Sequence, residues 1–339
     1  MNIELEANRY LKAGNALTSR KKFNQAILKY KRALSITPLN SDAHLEWGNV
    51  LTELRKPERA IQNFKHALKL DEKNFDAYFC WGNAFSIQQK YEEAIEKYQK
   101  TLDMDPEYEG AYINWGNVLD EQGKFDEAKK KYKQAIKLNP GNSVSHTNLG
   151  VILIHQFEYR KAMYHFKKAI SIDPNDADAY MNWGNAYSEK AQEEEGIELY
   201  KEALKKNSQC SLAYYNWAIA LLDQGEVEEA LKKCKKAMRI DSEEAGYFIL
   251  WSVILEFQGK KRTSGEIFKQ AMEIIEKDKC KERALLKDLK NEIIVAKRKM
   301  GHNNDKKGKF CNHNEFVERK VKILKKLVKK ISSRKEEEE

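Results

Sequence analysis

The sequence has few of the residues that build sheets, disulfide frameworks or metal sites. Its 16 glycines and 5 prolines are too few for a β-sandwich, a barrel or a long Gly-rich linker. Its five cysteines are scattered and never form a Cys-x-x-Cys pair, which predicts reduced thiols. No apolar run spans a membrane, and the first residues lack a basic region followed by an apolar one. We therefore expect a cytoplasmic protein.

Sequence patterns of the common enzyme classes are absent as well. There is no GxGxxG, GxxxxGK[ST], HExxH or GxSxG segment. The one His/Cys cluster, formed by His302, Cys311 and His313, lies in a polar stretch with too few ligands for a metal. We therefore predict no catalytic residue, no metal and no cofactor.

The net charge of +9 is concentrated at one end of the chain. Residues 279–339 hold 20 Lys+Arg and 10 Asp+Glu, a net charge of +10. Subtraction from the totals of 61 and 52 leaves 41 and 42 for residues 1–278, a net charge of −1. The chain therefore divides near residue 279 into a balanced part and a basic appendage.

What the sequence does contain is a 34-residue repeat. Its six tryptophans are separated by multiples of 34 residues, and four of them begin a Trp-Gly-Asn triplet. Small residues recur at positions 8, 20 and 27, an aromatic residue is common at position 24, and proline recurs at position 32. The predicted rows are 7–40, 41–74, 75–108, 109–142, 143–176, 177–210, 211–244 and 245–278.

Each row predicts two helices and no strand. Apolar and small residues at positions 4, 7, 8 and 11 share one helical face, and those at 20, 24, 27 and 28 share another. We expect the tryptophan at position 7 to lie in the core. We also expect Ser264 and Gly265 to interrupt the second helix of the last row.

These rows resemble the tetratricopeptide repeat family, although tyrosine is common at position 4 and tryptophan stands at position 7. The resemblance implies an all-α, right-handed superhelical solenoid, in which the first helix of each row lines a concave groove through positions 2, 5, 6, 9, 12 and 13. It also leads us to expect a capping helix over 279–299. A linker over 300–314 and a basic amphipathic helix with an acidic end over 315–339 are predicted to follow.

Asparagines occupy two of the groove positions that the resemblance implies. Asparagine is a poor former of helix interiors, so its recurrence favours use by a ligand over mere tolerance. Its side chain both donates and accepts, which suits it to hold the backbone of an extended peptide. Position 9 holds Asn15, Asn49, Asn83, Asn117 and Asn185, and position 6 holds Asn114, Asn148, Asn182 and Asn216.

The position-6 column is similar to that of the repeat arm of O-linked N-acetylglucosamine transferases, whose catalytic domain has no counterpart here. In later rows, groove positions become apolar and include Ile154, Tyr215 and Ile219. Such residues indicate either a binding site or a surface that another element covers. No three successive rows supply the basic residues that would bind the acidic tail of a chaperone.

Protein binding is the function that these patterns predict. We expect a non-catalytic scaffold or adaptor that holds an extended peptide or a partner helix in the groove. The alternatives are a substrate-recruiting subunit of an enzyme assembly, such as a glycosyltransferase, and electrostatic binding of a membrane or nucleic acid through the tail. For residues 315–331, a partner helix or self-docking ranks first, a membrane second and nucleic acid third.

Overall fold

The computed structural model describes residues 3–277 and Lys325, and residues 3–277 form sixteen α-helices and no strand. Each row contributes one odd-numbered and one even-numbered helix, which confirms the predicted all-α repeat solenoid. Among the described residues, no helix combines the length and the hydropathy that crossing a bilayer requires. The helices are α1 (Ile3–Ser19), α2 (Phe23–Ile36), α3 (Ser41–Glu53), α4 (Pro57–Leu70), α5 (Phe75–Ile87), α6 (Tyr91–Met104), α7 (Glu109–Glu121), α8 (Phe125–Leu138), α9 (Ser143–His155), α10 (Tyr159–Ile172), α11 (Ala177–Glu189), α12 (Glu193–Lys206), α13 (Ser211–Asp223), α14 (Val227–Ile240), α15 (Ala245–Phe257) and α16 (Lys261–Lys277).

The helices belong to two compact units. The first is Met1–Phe157 and contains α1–α9, and the second begins at Glu158 and contains α10–α16. Within each unit, every helix packs against the next helix in the chain, and each odd-numbered helix also touches the next odd-numbered one. The predicted capping helix over 279–299, the linker over 300–314 and the tail over 315–339 lie outside the described residues, apart from Lys325.

The turn between the two helices of a row has the same backbone conformation throughout. Position 15 has a positive φ in all eight rows, although only three of the eight residues are glycine. A side chain in this conformation costs about 1–2 kcal/mol, which the packing of the helix pair must offset. These residues are Lys21, Arg55, Gln89, Gly123, Phe157, Ala191, Gly225 and Gly259.

The core of each helix pair is built around the aromatic residue at position 24. Six of these rings are at most 1% exposed: Tyr30, Phe64, Tyr98, Tyr132, Phe166 and Tyr200. Each tyrosine ring, and that of Phe64, lies against a glycine at position 8; a Cβ on Gly116, for example, would stand 2.6 Å from Cε1 of Tyr132. Glycine is required there because a methyl group would overlap a ring that has no room to move.

The tryptophans at position 7 are less buried than we predicted. All six are half-buried: they pack beside the core, and a lysine ammonium group covers the ring from outside. Nζ of Lys131 lies 3.1 Å from the ring centroid of Trp115. In five rows a lysine at position 25 of the preceding row lies 5.2–5.8 Å from the indole. The tryptophans pack against the core as expected but stand at its edge, because position 7 lies between even-numbered helices whose lysine ammonium groups approach the ring.

The last row is an uninterrupted helix pair, so the expected break at Ser264 and Gly265 is wrong. Helix α16 runs through both residues. Ser264 is 4% exposed, and its hydroxyl donates to the backbone oxygen of Ser252 at 2.9 Å. This bond satisfies a buried hydroxyl at the contact between positions 20 and 8. Gly265 is exposed on the opposite side and has nothing within 4 Å of where a Cβ would stand.

The two glycine environments give a matched stability test. Gly116→Ala should destabilise the protein by about 1–3 kcal/mol, because its methyl group would overlap the Tyr132 ring. Gly265→Ala should stabilise it by about 0.5–1 kcal/mol, because alanine is the better helix former where nothing obstructs it. Urea denaturation followed by circular dichroism measures both changes, and equal effects at the two sites would contradict the packing described above.

Candidate functional site

The odd-numbered helices from α3 to α15 contain no lysine or arginine. The basic residues of these rows lie on the even-numbered helices and in the turns. In the first unit, helices α3, α5 and α7 carry Asp42, Glu46, Glu53, Asp76, Glu109, Asp120 and Glu121. The odd-numbered helices from α3 to α15 therefore offer a ligand amides and carboxylates but no lysine or arginine.

The predicted asparagines form a hydrogen-bonded arrangement that spans neighbouring rows. Oδ1 of Asn117 accepts a bond of 2.7 Å from the hydroxyl of Tyr132 in its own row. It also accepts a bond of 2.9 Å from Nδ2 of Asn148 in the next row. We call this set, a position-24 tyrosine, a position-9 asparagine and the next position-6 asparagine, the amide relay. It recurs at Tyr98, Asn83 and Asn114 in the first unit and at Tyr200, Asn185 and Asn216 in the second.

The amide relay determines which side-chain atoms remain for a ligand. Both lone pairs of Asn117 Oδ1 are occupied, so its Nδ2 group is left as a donor. Asn148 uses one N–H, so its Oδ1 is left as an acceptor. Asn117 is exposed and Asn148 is half-buried, and they lie on the adjacent helices α7 and α9. The relay thus presents a donor and an acceptor side by side on the odd-numbered helices.

The role of the position-24 tyrosines is what reading the sequence missed. We expected the position-9 asparagines to be retained for a ligand, but in the relay they also satisfy the hydroxyl of a buried tyrosine. The signal is present in the sequence, because the two residue types occur together. Asn15, Asn83, Asn117 and Asn185 share their rows with Tyr30, Tyr98, Tyr132 and Tyr200, whereas Val151, Ile219 and Val253 share theirs with Phe166, Cys234 and Phe268.

Row 41–74 is the exception to this pattern. Asn49 shares its row with Phe64, which has no hydroxyl, and the next position 6 is Cys80 instead of asparagine. A cleft of about 420 Å³ opens at this point between α1, α3 and α5.

The other predicted residues have different surroundings. Asn182 is outside the relay and accepts a longer bond of 3.4 Å from Nδ2 of Asn185 on the same helix. Tyr215 and Ile219 are half-buried and pack against the cluster that joins α13 to α15. Ile154 is 6% exposed, so its expected position on a ligand-facing surface is wrong and its side chain is buried. Apolar residues at these positions serve helix packing, which removes their surface from water.

The described residues contain no arrangement with evident catalytic chemistry. No group of three or more His, Cys, Asp or Glu side chains among them could hold a metal ion. Burial, together with the nearby Asp76 and Glu46 carboxylates, raises the pKa of the Cys80 thiol to about 12. Burial likewise raises the pKa of Cys234 to about 12. Both thiols are therefore protonated at neutral pH and are poor nucleophiles.

Known proteins share this repeat and this fold. Residues 14–55, 48–88, 82–123 and 158–190 match a pattern described as TPR repeat, and residues 110–142 and 181–245 match patterns described as tetratricopeptide repeat. No curated protein sequence matches the chain.

Three solved structures show the similarity of fold. One chain of the APC/C heterotetramer Cut9–Hcn1 is 16% identical to this chain. Its TM-score is 0.61, and the match covers 81% of this chain and 54% of that chain. A tetratricopeptide repeat protein from Parabacteroides merdae is 16% identical with a TM-score of 0.60, over 79% and 99%. The protein pilF of Pseudomonas aeruginosa is 20% identical with a TM-score of 0.55, over 64% and 98%.

The amide relay predicts that replacing two different position-9 asparagines lowers the free energy of unfolding by unequal amounts. Asn117→Ala should destabilise the protein by about 1–3 kcal/mol, because the buried hydroxyl of Tyr132 loses its acceptor. Asn49→Ala should cost clearly less, because Phe64 has no hydroxyl to satisfy. Urea denaturation of the two variants measures the difference.

A double-mutant cycle isolates the bond itself. In a Tyr132→Phe background, Asn117→Ala should lower the free energy of unfolding by less than it does in the parent protein. The reason is that the hydroxyl group that would lose its acceptor is already absent. Identical costs in both backgrounds would show that the Tyr132–Asn117 bond contributes nothing to stability.

Proposed function

The chain belongs to the tetratricopeptide repeat family, whose members generally mediate protein–protein interactions, and on this premise we propose that it binds an extended peptide segment of a partner protein. The binding surface in this proposal is the amide face, defined as Asn83, Asn114, Asn117 and Asn148 on helices α5, α7 and α9 of the first unit. The protein then acts as a non-catalytic scaffold or adaptor.

The observation that carries the proposal is the orientation of the amides within the relay. The backbone of an extended peptide offers one N–H and one C=O at each residue. The amide face offers the complementary groups, Nδ2 of Asn83 and Asn117 as donors and Oδ1 of Asn114 and Asn148 as acceptors. Such a surface binds the main chain of a ligand and discriminates little between the ligand's side chains.

The hydrogen bonds of the relay also favour binding by holding the amides in place before a ligand arrives. Asn83 and Asn117 are each held by two bonds of 2.7–2.9 Å. A side chain that is already ordered loses little rotamer entropy when a ligand binds, so more of the interaction energy contributes to affinity. This is the physical reason for placing the site on the relay rather than on the exposed apolar residues of other rows.

A backbone-directed site can be tested with selected peptides. The full chain is panned against a display library of 12-residue peptides, and the strongest binder is synthesised with a fluorescein label for anisotropy titration. The pair Asn114→Ala and Asn148→Ala should weaken binding about 10- to 30-fold, because each removed hydrogen bond contributes roughly 1 kcal/mol. N-methylation of the peptide's central amides should weaken it to a similar extent.

The control variant is the pair Gln99→Ala and Gln134→Ala, which removes two side-chain amides from exposed positions on the even-numbered helices α6 and α8. This pair should leave the affinity unchanged, and circular dichroism checks that both double variants remain helical. An affinity that neither N-methylation nor loss of the two asparagines alters would remove the amide face as the binding site.

A further inference from the structure

We propose that the cleft between α1, α3 and α5 receives an arginine or lysine side chain of the bound peptide, and that it is thereby a specificity site. The inference rests on the proposed function, since the cleft adjoins the amide face at Asn83. It adds a preference for a chemical class, which a surface that holds only the peptide backbone does not have.

The cleft lies in the rows before the amide relay begins, where neither Asn15 nor Asn49 is followed by an asparagine at the next position 6. In rows 75–108 and 109–142, the position-9 asparagine accepts a bond from the position-6 asparagine of the next row. Here Cys80 stands at position 6 and does not bridge to Asn49, and a volume of about 420 Å³ is left open. That volume is large enough for the end of a long side chain. Its lining includes Glu46, Asn49, Thr52, Glu53, Cys80 and Asn83.

The charge in the cleft is suited to a cation. Glu46 and Glu53 both line it, and Glu46 is half-buried. Helices α3 and α5 carry no lysine or arginine, and Arg9 and Lys12 of α1 do not line the cleft. Lys21 from the turn after α1 also lines the cleft, but the charges that act on the Glu46 carboxyl are those of Asp42 and Asp76, which are negative. The charged groups that influence the Glu46 carboxyl are therefore both negative.

The surroundings of Glu46 disfavour the ionised form of its carboxyl group. Burial raises the pKa of its carboxyl above the ordinary value, and the negative charges of Asp42 and Asp76 raise the pKa further. A hydrogen bond with Asn49 acts in the opposite direction and lowers this pKa. A half-buried carboxylate with like charges beside it gains most from a cation, and such groups concentrate at functional sites.

The neighbouring groups would complete the recognition of a guanidinium or ammonium group. Arginine and lysine are donors only, so they need acceptor oxygens around the charge. The cleft supplies the carboxylates of Glu46 and Glu53 and the hydroxyl of Thr52. Charge-assisted hydrogen bonds of this kind are roughly twice as strong as those between neutral groups. An acidic side chain would instead meet the same carboxylates and be repelled.

Three peptides that differ in one side chain test the inference. The probe is a 12-residue Gly-Ser-Ala host peptide with arginine, citrulline or glutamate at its centre, titrated into the full chain and followed by amide NMR, which detects millimolar binding. Citrulline has nearly the shape of arginine but no charge. We expect the arginine peptide to bind at least about 10-fold more tightly than the citrulline peptide, and the glutamate peptide to bind least. The preference for arginine should shrink between 0.05 and 0.5 M salt, where exposed charges are screened.

Two double variants with the same change in net charge locate the effect. Glu46→Gln with Glu53→Gln should abolish the preference for arginine over citrulline. Glu93→Gln with Glu107→Gln, two exposed residues outside the cleft, should preserve it. A preference that survives loss of Glu46 and Glu53 would place the cation elsewhere and overturn the inference.

The wild-type titrations keep the two proposals separable even if a variant fails to fold. Equal affinity for the arginine and citrulline peptides overturns the cleft as a cation site while leaving peptide binding intact. If none of the three peptides shifts the amide signals of Asn83, Asn114, Asn117 or Asn148, binding at the amide face fails as well.

Discussion

The packing of an aromatic ring against a glycine sets the distance between the two helices in most rows, and other features of the structure follow from that distance. The glycine at position 8 has no side chain, so the ring at position 24 packs directly against its backbone and is almost completely removed from water. Burial of a ring of this size is one of the largest favourable contributions that a single side chain can make. Because the contact recurs with the 34-residue period, each row forms largely from local contacts and stacks on its neighbour.

Where the ring is tyrosine, this packing brings its hydroxyl to the odd-numbered helix, and the asparagine at position 9 becomes its acceptor. A buried hydroxyl needs such a partner, so the asparagine stabilises the fold even though it is a poor helix former. Its remaining donor is then held in a fixed orientation. Stability and the proposed recognition therefore depend on the same side chain, and a variant at position 9 is informative about binding only if its folding is measured too.

The basic residues are also divided unequally between the two helices of each row. Lysines on the even-numbered helices place their ammonium groups over half-buried indoles, with Nζ 5.2–5.4 Å from the ring centroids. The odd-numbered helices from α3 to α15 carry no lysine or arginine. The near-neutral total for residues 1–278 thus conceals two surfaces of different character, and the cleft beside Glu46 adjoins α3 and α5, which carry no lysine or arginine.

The sequence by itself determined the helix pairs, their period and the two asparagine columns, because small residues, aromatics and turns recur at positions that any row displays. The tertiary structure decided what those residues do. The bonds of the relay join residues 15 and 31 positions apart on different helices, so the orientation of Asn117 and the role of Tyr132 depend on packing that a single helix does not show. Ile154 was misplaced because a helical face does not reveal which of its edges the next helix covers. The cleft at Cys80 became visible only in three dimensions, because it lies where a bond that the later rows of the first unit possess is absent.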